Sequence, residues 1–302
     1  MKKSLLFLVV VILISAFTPV FAQNPEMHGP PKVLLIVRED IKPGMMATHN
    51  RHSAEFANIF GKLQTPNHRI ALVPVAGSEN EVIYVTGADT FAEVEGIQKA
   101  TDDKMAAAGG SMKADLDRLD KEAPVLHAGM RDMLAIYRPE LSFNPGVNVP
   151  QMRYFSITTT RVRPGYDAQY AEYVQKVINV ARQKAKVDNL HVAVFQVISG
   201  APGGTYMIFR PMKSMAELDD PIGAKVRAAM SDDQKMDADK SAREAIMSSE
   251  NSTYAFAPRM SYVEKDMAAV DPAFWNPKPM MMTKPKPKKK MIKPVAPPPP
   301  TD

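Results

Sequence analysis

The chain has 302 residues, a formal charge of +5, six histidines, one tryptophan and no cysteine. The missing thiols exclude disulfides and thiol catalysis, so stability has to come from a buried core. The charge is local: residues 1–22 hold +2 and residues 276–302 hold +6, which leaves about −3 over 23–275 and argues against nucleic acid as a partner.

Lys2 and Lys3 precede an apolar run from Leu5 to Phe17, and Val20 and Ala22 stand at the small-residue positions before a cut. This predicts an export signal over 1–22 and a periplasmic or secreted mature chain. The run is shorter than the ~20 residues of a membrane-spanning helix. Residues 23–31, with His28, read as a leader.

The body is written twice. A first unit over 32–145 runs "KVLLIVRED" (strand), "KPG", a helix over about 45–63, "HRIALVPVAG" and "EVIYVTG" (strands), helices to about Gly129, and a last strand "MLAIYRPELSF". A second unit over 151–265 runs "RYFSITTTRV", "RPG", a helix over about 166–186, "HVAVFQVISG", "TYMIFRP", helices to about Ser249, and "TYAFAPRMSYV". Pro43-Gly44 answers Pro164-Gly165, Gly77 answers Gly200, "TFAEVEG" answers "SMAELDD", and "YRPELSF" answers "FAPRMSY", at offsets between 119 and 124 residues. Thr90 with Glu93, and Ser214 with Glu217, read as the same capping box.

Each half is βαββαβ, and its strands are apolar on both faces, so each sheet needs a second cover. The other half can supply it, which predicts two facing sheets with helices outside, and a monomer. The last segment, 276–302, has no helical or strand period and reads as a Pro/Lys-rich disordered tail. Such a tail can rest on an anionic envelope surface, and Met280, Met281 and Met282 are soft enough for copper(I) only with further ligands.

These halves resemble the dimeric α/β barrel superfamily, ferredoxin-like units grouped with NIPSNAP-like proteins and antibiotic-biosynthesis-type monooxygenases. Here they are fused in tandem as an intramolecular pseudo-dimeric barrel. The resemblance rests on the strand, "KPG" or "RPG", helix opening and on "GADTFAEVE". It implies an α+β fold and a small-molecule or haem pocket between sheet and helices or inside the barrel. Haem-degrading members use an Asn, His and Trp set, whereas the single tryptophan here, Trp275, stands at the head of the tail.

Candidate ligand-binding residues follow from the duplication. His49 and His52 share the helix face that Met45, Phe56, Ile59 and Leu63 make apolar. Tyr170 and Tyr173 take their places in the second half, ahead of Val177 and Val180. All four can be packing residues with polar tips. A metal would need a third ligand, and Glu55, the adjacent carboxylate, drifts off that face. His68 and His191 each open a second strand, and His127 reads as a helix-end residue facing the dipole. The first half, with His49, His52, His68 and Tyr84, is the expected better site, since imidazole exchanges protons near neutral pH and phenol does not.

No nucleotide loop, nucleophile elbow, zincin or CxxC motif occurs, and "GAPGG" joins two strands as a hairpin. The expectation is an exported small-molecule-binding protein with no complete catalytic motif, no metal and no cofactor. A cofactor-independent monooxygenase or haem-binding protein is the alternative.

Overall fold

The computed structural model describes residues 29–277. The export signal, most of the leader with His28, and residues 278–302 of the tail lie outside the described residues. Among the described residues no helix is long and apolar enough to cross a membrane.

The first half contributes β1 (Val33–Ile41), α1 (Met46–Leu63), β2 (Ile70–Ala76), β3 (Glu81–Ala88), α2 (Phe91–Ala106), α3 (Gly110–Leu126) and β4 (His127–Tyr137). The second contributes β5 (Tyr154–Val162), α4 (Asp167–Tyr173), a π-helical turn (Val174–Asn179), α5 (Val180–Lys184), β6 (Ala193–Ser199), β7 (Thr205–Met212), α6 (Ile222–Ala228), α7 (Asp232–Ala245) and β8 (Ile246–Phe256). Two short helices follow, α8 (Lys265–Val270) and α9 (Pro272–Trp275). The eight strands close into an antiparallel barrel in the order β1-β3-β2-β8-β5-β7-β6-β4. Each half uses the same internal order, fourth-first-third-second, and the halves join at β2/β8 and β4/β6. The expected facing sheets are thus one sheet joined at both edges, which leaves no strand edge unpaired.

Alternation along the strands sets the layers. Leu34 and Ile36 of β1, Leu72, Ile83 and Met133 point inward and meet Phe155, Ile157, Phe195, Phe209 and Phe256 of the other half in one shared core. Val37, Ile41, Ala71, Val82 and Tyr84 point outward to the first-half helices. Tyr170, Val174, Val194, Tyr206 and Val226 form the equivalent outer layer of the second.

The repeated glycines stand at the seams. A Cβ on Gly200 would lie 1.9 Å from the Asp132 carbonyl oxygen of β4, and one on Gly77 would lie 2.6 Å from Ser252 Oγ of β8. Both also have positive φ, +85° and +132°, so each half needs glycine where its second strand meets the other half. Pro74 is tolerated at the β2/β8 seam because the register shifts there and no amide is required of it.

Several predicted boundaries move. β4 and β8 begin at His127 and Ile246, six and seven residues before Met133 and Thr253, because exposed residues there still pair through the backbone with β1 and β5. Both strands end before "RPELSF" and "APRMSY"; in the first half a 3-10 turn, Pro139–Leu141, takes over. Thr90 accepts the Glu93 amide, but the Glu93 carboxylate accepts from Asp89, one residue before the expected partner. Ser214 caps only a 3-10 turn, Met215–Leu218, and the reciprocal box is Ser231 with Gln234. Trp275 is no tail residue: it is buried in the shared core, and its Nε1 donates to the Pro150 carbonyl at 2.8 Å.

Candidate functional site

The first-half residues do not gather into one pocket. His49, fully buried on α1, faces Glu39, an outward residue of β1. The carboxylate can only accept, so His49 Nε2 donates to Glu39 Oε2 at 2.6 Å. His127 Nε2 lies 3.3 Å from the same oxygen but is not aligned for a hydrogen bond, and the two imidazoles meet edge to face at 5.2 Å. Burial alone would raise the Glu39 pKa; the contacts with His127 and His49 outweigh it and bring the pKa to about 2. His127 does end α3, its amide donating to the Ala123 carbonyl, and it also opens β4 opposite Ile41 of β1, so its ring is spent on Glu39 and not on the helix dipole alone.

His52 turns away, its Nε2 donating to the Leu119 carbonyl at 2.9 Å and so tying α1 to α3. Ser53 carries the network on, 3.4 Å from His49 Nε2 and 2.6 Å from the Tyr84 hydroxyl. Burial raises the Tyr84 pKa, and the Arg69 guanidinium lies over its ring at 4.3 Å. His68 lies elsewhere, stacked on Tyr262 at 4.6 Å, with burial lowering its pKa. Glu55 is exposed and pairs with Arg118. A first-half cavity of about 290 Å³ between the sheet and α2 is lined by Val37, Arg69, Tyr84, Ile97 and Thr101 among others, a second of about 750 Å³ lies between α1 and α3 along Met45, Thr48, Ala114 and Val125, and neither His49 nor His52 lines either of them.

The second half holds a larger cavity, about 800 Å³, between the outer face of its sheet and its helices. Local sequence explains the difference. "TFAEVEGIQKA" forms the continuous helix α2, whereas in "SMAELDDP" Pro221 stands where the first half has Ile97, and proline disfavours helix in the residue before it. The cover therefore breaks into one 3-10 turn and the short α6.

The π-helical turn lies in the other wall, where it contributes Ile178. It also shifts the predicted stripe from Val177 and Val180 to Val174, Val177, Ile178 and Ala181. Apolar Ile178, Leu190, Val192, Ile208 and Val226 line the cavity with Tyr173, Arg182, Arg210, Arg227, Asp239 and Asn251.

Tyr170 is not in that lining; it packs on Tyr206 at 4.9 Å, and Tyr206 donates to Asp167 at 3.0 Å. Burial raises the Tyr170 and Tyr173 pKa values. His191 Nδ1 donates to the Asn144 carbonyl at 2.7 Å. Arg227 makes two hydrogen bonds to Asp239, at 2.9 and 3.0 Å, and Arg210 donates to the Glu217 carbonyl. Among the described residues Arg182 donates to the amide oxygen of Asn179 at 2.9 Å and lies over the Phe143 ring at 5.8 Å, with no carboxylate partner. Burial pulls its pKa down to about 10, so it keeps its charge at neutral pH.

Among the described residues no histidine lines this cavity, and one phenol, Tyr173, does, its pKa raised by burial. That donor set does not fit haem held through an imidazole.

Sequence reasoning missed Arg182 and Glu39. A signal existed for Glu39, since alternation along "KVLLIVRED" puts it on the outward face with Val37 and Ile41. Nothing local marked Arg182, whose isolation depends on which acids fold near it.

No protein-family profile and no curated protein matches the chain. Among solved structures it is similar to an anthrone oxidase-like protein, at 10% identity and TM-score 0.47, over 75% of this chain and 92% of that one. It is similar to a candidate monooxygenase from Fusobacterium nucleatum subsp. nucleatum ATCC 25586, at 10% identity and TM-score 0.46, over 75% and 93%. It is also similar to a chlorite dismutase variant from Candidatus Nitrospira defluvii in complex with cyanide, at 10% identity and TM-score 0.45, over 78% and 95%.

Proposed function

We propose that the chain is an exported binding protein for an apolar small molecule bearing one anionic group, held in the second-half cavity with its anion on Arg182. The observation that carries this reading is the Arg182 guanidinium, partly buried at the wall of an 800 Å³ cavity and met there, among the described residues, by a neutral amide and an aromatic ring but no carboxylate. A buried charge without a counter-ion is costly, and a ligand carboxylate or sulfonate would offset that cost. The volume falls within the ~300–1,000 Å³ of small-molecule sites, and the apolar lining with a few polar groups is their usual chemistry.

Binding rather than turnover is favoured by the same residues. Cofactor-independent oxygenation would need a free base, and the one carboxylate in the lining, Asp239, is engaged by Arg227. Export rests on residues 1–22, and the Lys/Pro tail after Trp275 is suited to hold the protein on an anionic surface. The matching strand order and seam glycines support two fused ferredoxin-like units acting as a monomeric pseudo-dimer.

The test uses 8-anilinonaphthalene-1-sulfonate, an apolar anion that fluoresces when buried. The mature protein is expected to bind it at one site, and Arg182→Gln to weaken binding about tenfold, the ~1.4 kcal/mol of one charge-assisted hydrogen bond. Equal affinity in both proteins refutes the proposal.

A further inference from the structure

We infer that Glu39, His49 and His127 form a binding site for one divalent transition-metal ion of the zinc type, clamping β1, α1 and the start of β4 in the first half. One ligand atom from each residue lies within 4.8 Å of the other two. Two ligand atoms each ~2.0–2.1 Å from a tetrahedral ion lie about 3.3 Å apart, which is the present separation of His127 Nε2 and Glu39 Oε2. His49 Nε2 is closer, at 2.6 Å, because a proton bridges it to the carboxylate. An ion would replace that proton and open the pair by less than about 1 Å.

Two further observations point to a ligand here. His127 Nε2 is buried, faces the carboxylate and has no hydrogen-bond partner, an arrangement costly for a polar atom unless something fills the gap. Glu39 and His127 also keep 12% and 16% of their side-chain exposure, so water can reach the cluster and supply a fourth ligand. Two imidazoles and one carboxylate suit Zn²⁺, Co²⁺ or Fe²⁺ and discriminate against Mg²⁺ and Ca²⁺, which demand oxygen.

The duplication provides a control within the chain. Pairing across the two sheets sets Glu39, His49 and His127 against Thr160, Tyr170 and Ile246 of the second half, none of which is a good divalent-metal ligand. The site therefore belongs to one half only and is independent of the Arg182 cavity.

The untagged mature protein, stripped with a chelator, is titrated with Co²⁺ and separately with Zn²⁺ and Mg²⁺. One equivalent of Co²⁺ is expected to give visible d–d absorption, reversed by Zn²⁺. Zn²⁺ at a hundredfold excess over its Kd should raise Tm by roughly 5–10 °C while Mg²⁺ does nothing. Glu39→Gln and His127→Ala should abolish both signals, and His68→Ala and His191→Ala should leave them intact. No Co²⁺ absorption and no Zn²⁺ shift in the unmodified protein would mean that the cluster is a hydrogen-bonded strut without metal. Signals that survive both Glu39→Gln and His127→Ala would place the ion elsewhere. Either result overturns the inference, and neither bears on sulfonate binding at Arg182.

Discussion

The two halves share a scaffold and have spent the space outside their sheets in opposite ways. In the first half a continuous α2 leaves about 290 Å³ between itself and the sheet, the 750 Å³ between α1 and α3 touches no strand, and polar chemistry is compressed into a contact network running from His127 through Glu39, His49 and Ser53 to Tyr84. In the second half Pro221 breaks the cover, a π-helical turn forms part of the wall, and about 800 Å³ borders an arginine with no carboxylate partner among the described residues. The lesson is that a barrel interior common to both halves fixes little about function, because what differs lies on the outer faces, where a break in one helix turns packing into a cavity.

The largest expected effect tests the shared scaffold. Gly200→Ala puts a Cβ 1.9 Å from a backbone carbonyl at positive φ, so the β4/β6 seam must move, and a loss of about 3–5 kcal/mol is expected. Gly77→Ala meets Ser252 instead, whose hydroxyl at 2.6 Å can rotate away but whose Cβ at 2.9 Å moves only with β8, so about 2–4 kcal/mol is expected. Urea denaturation of the two variants measures both. If Gly77→Ala is the more damaging, the seams are not unequal in the way the contacts indicate.

The mixed α+β character of the fold and the order of its strands and helices were legible in the sequence because the pattern repeats: one "KPG" is a turn, and "RPG" at an offset of 121 residues marks a second strand-to-helix joint. The pattern also told which strand faces needed cover. It did not reveal that the edges pair, since seam residues such as Val73 and Ala135 read like any other strand residue and Pro74 reads as the mark of a free edge. Nor did it show β4 starting at His127, where exposed side chains mask a backbone ladder. At the site, His49 was legible from helix periodicity, but its partners come from β1 and β4, ten residues before and 78 residues after it in the chain. The second-half cavity depends on Pro221 and on one π-helical turn, features that alter space rather than hydrophobic period. Trp275 misled because its setting beside a Pro/Lys run outweighed, in the reading, the apolar "AFW" that docks it.

An intermediate effect sharpens the contrast between cavity and packed layer. Gly223 lines the second-half cavity, and a Cβ there would meet nothing within 4 Å. Gly223→Phe should therefore cost little stability, with the helix gaining up to about 0.5–1 kcal/mol from the loss of glycine, yet weaken sulfonate binding about tenfold by filling the space. Fluorescence titration beside thermal melting separates the two quantities. Loss of stability without loss of binding would put the site elsewhere.

The smallest effect concerns the buried phenols. Tyr84 bonds to the buried Ser53 hydroxyl, so Tyr84→Phe strips a partner from a place water does not reach and should cost about 1–2 kcal/mol. Tyr206 donates to Asp167, which is partly exposed and can turn to solvent, so Tyr206→Phe should cost only about 0.5–1 kcal/mol. Burial raises both phenol pKa values, that of Tyr206 to about 12. A pKa raised in the folded state stabilises fully below the unfolded value near pH 10 and is lost as pH rises through the folded one. The gap between the native protein and each phenylalanine variant should thus be constant from pH 7 to 9 and narrow above pH 10. Denaturation curves at pH 8 and pH 11 decide it: a gap for Tyr84→Phe unchanged at pH 11 would mean that its phenol is not held protonated by burial, and that the first-half layer is more open than its packing implies.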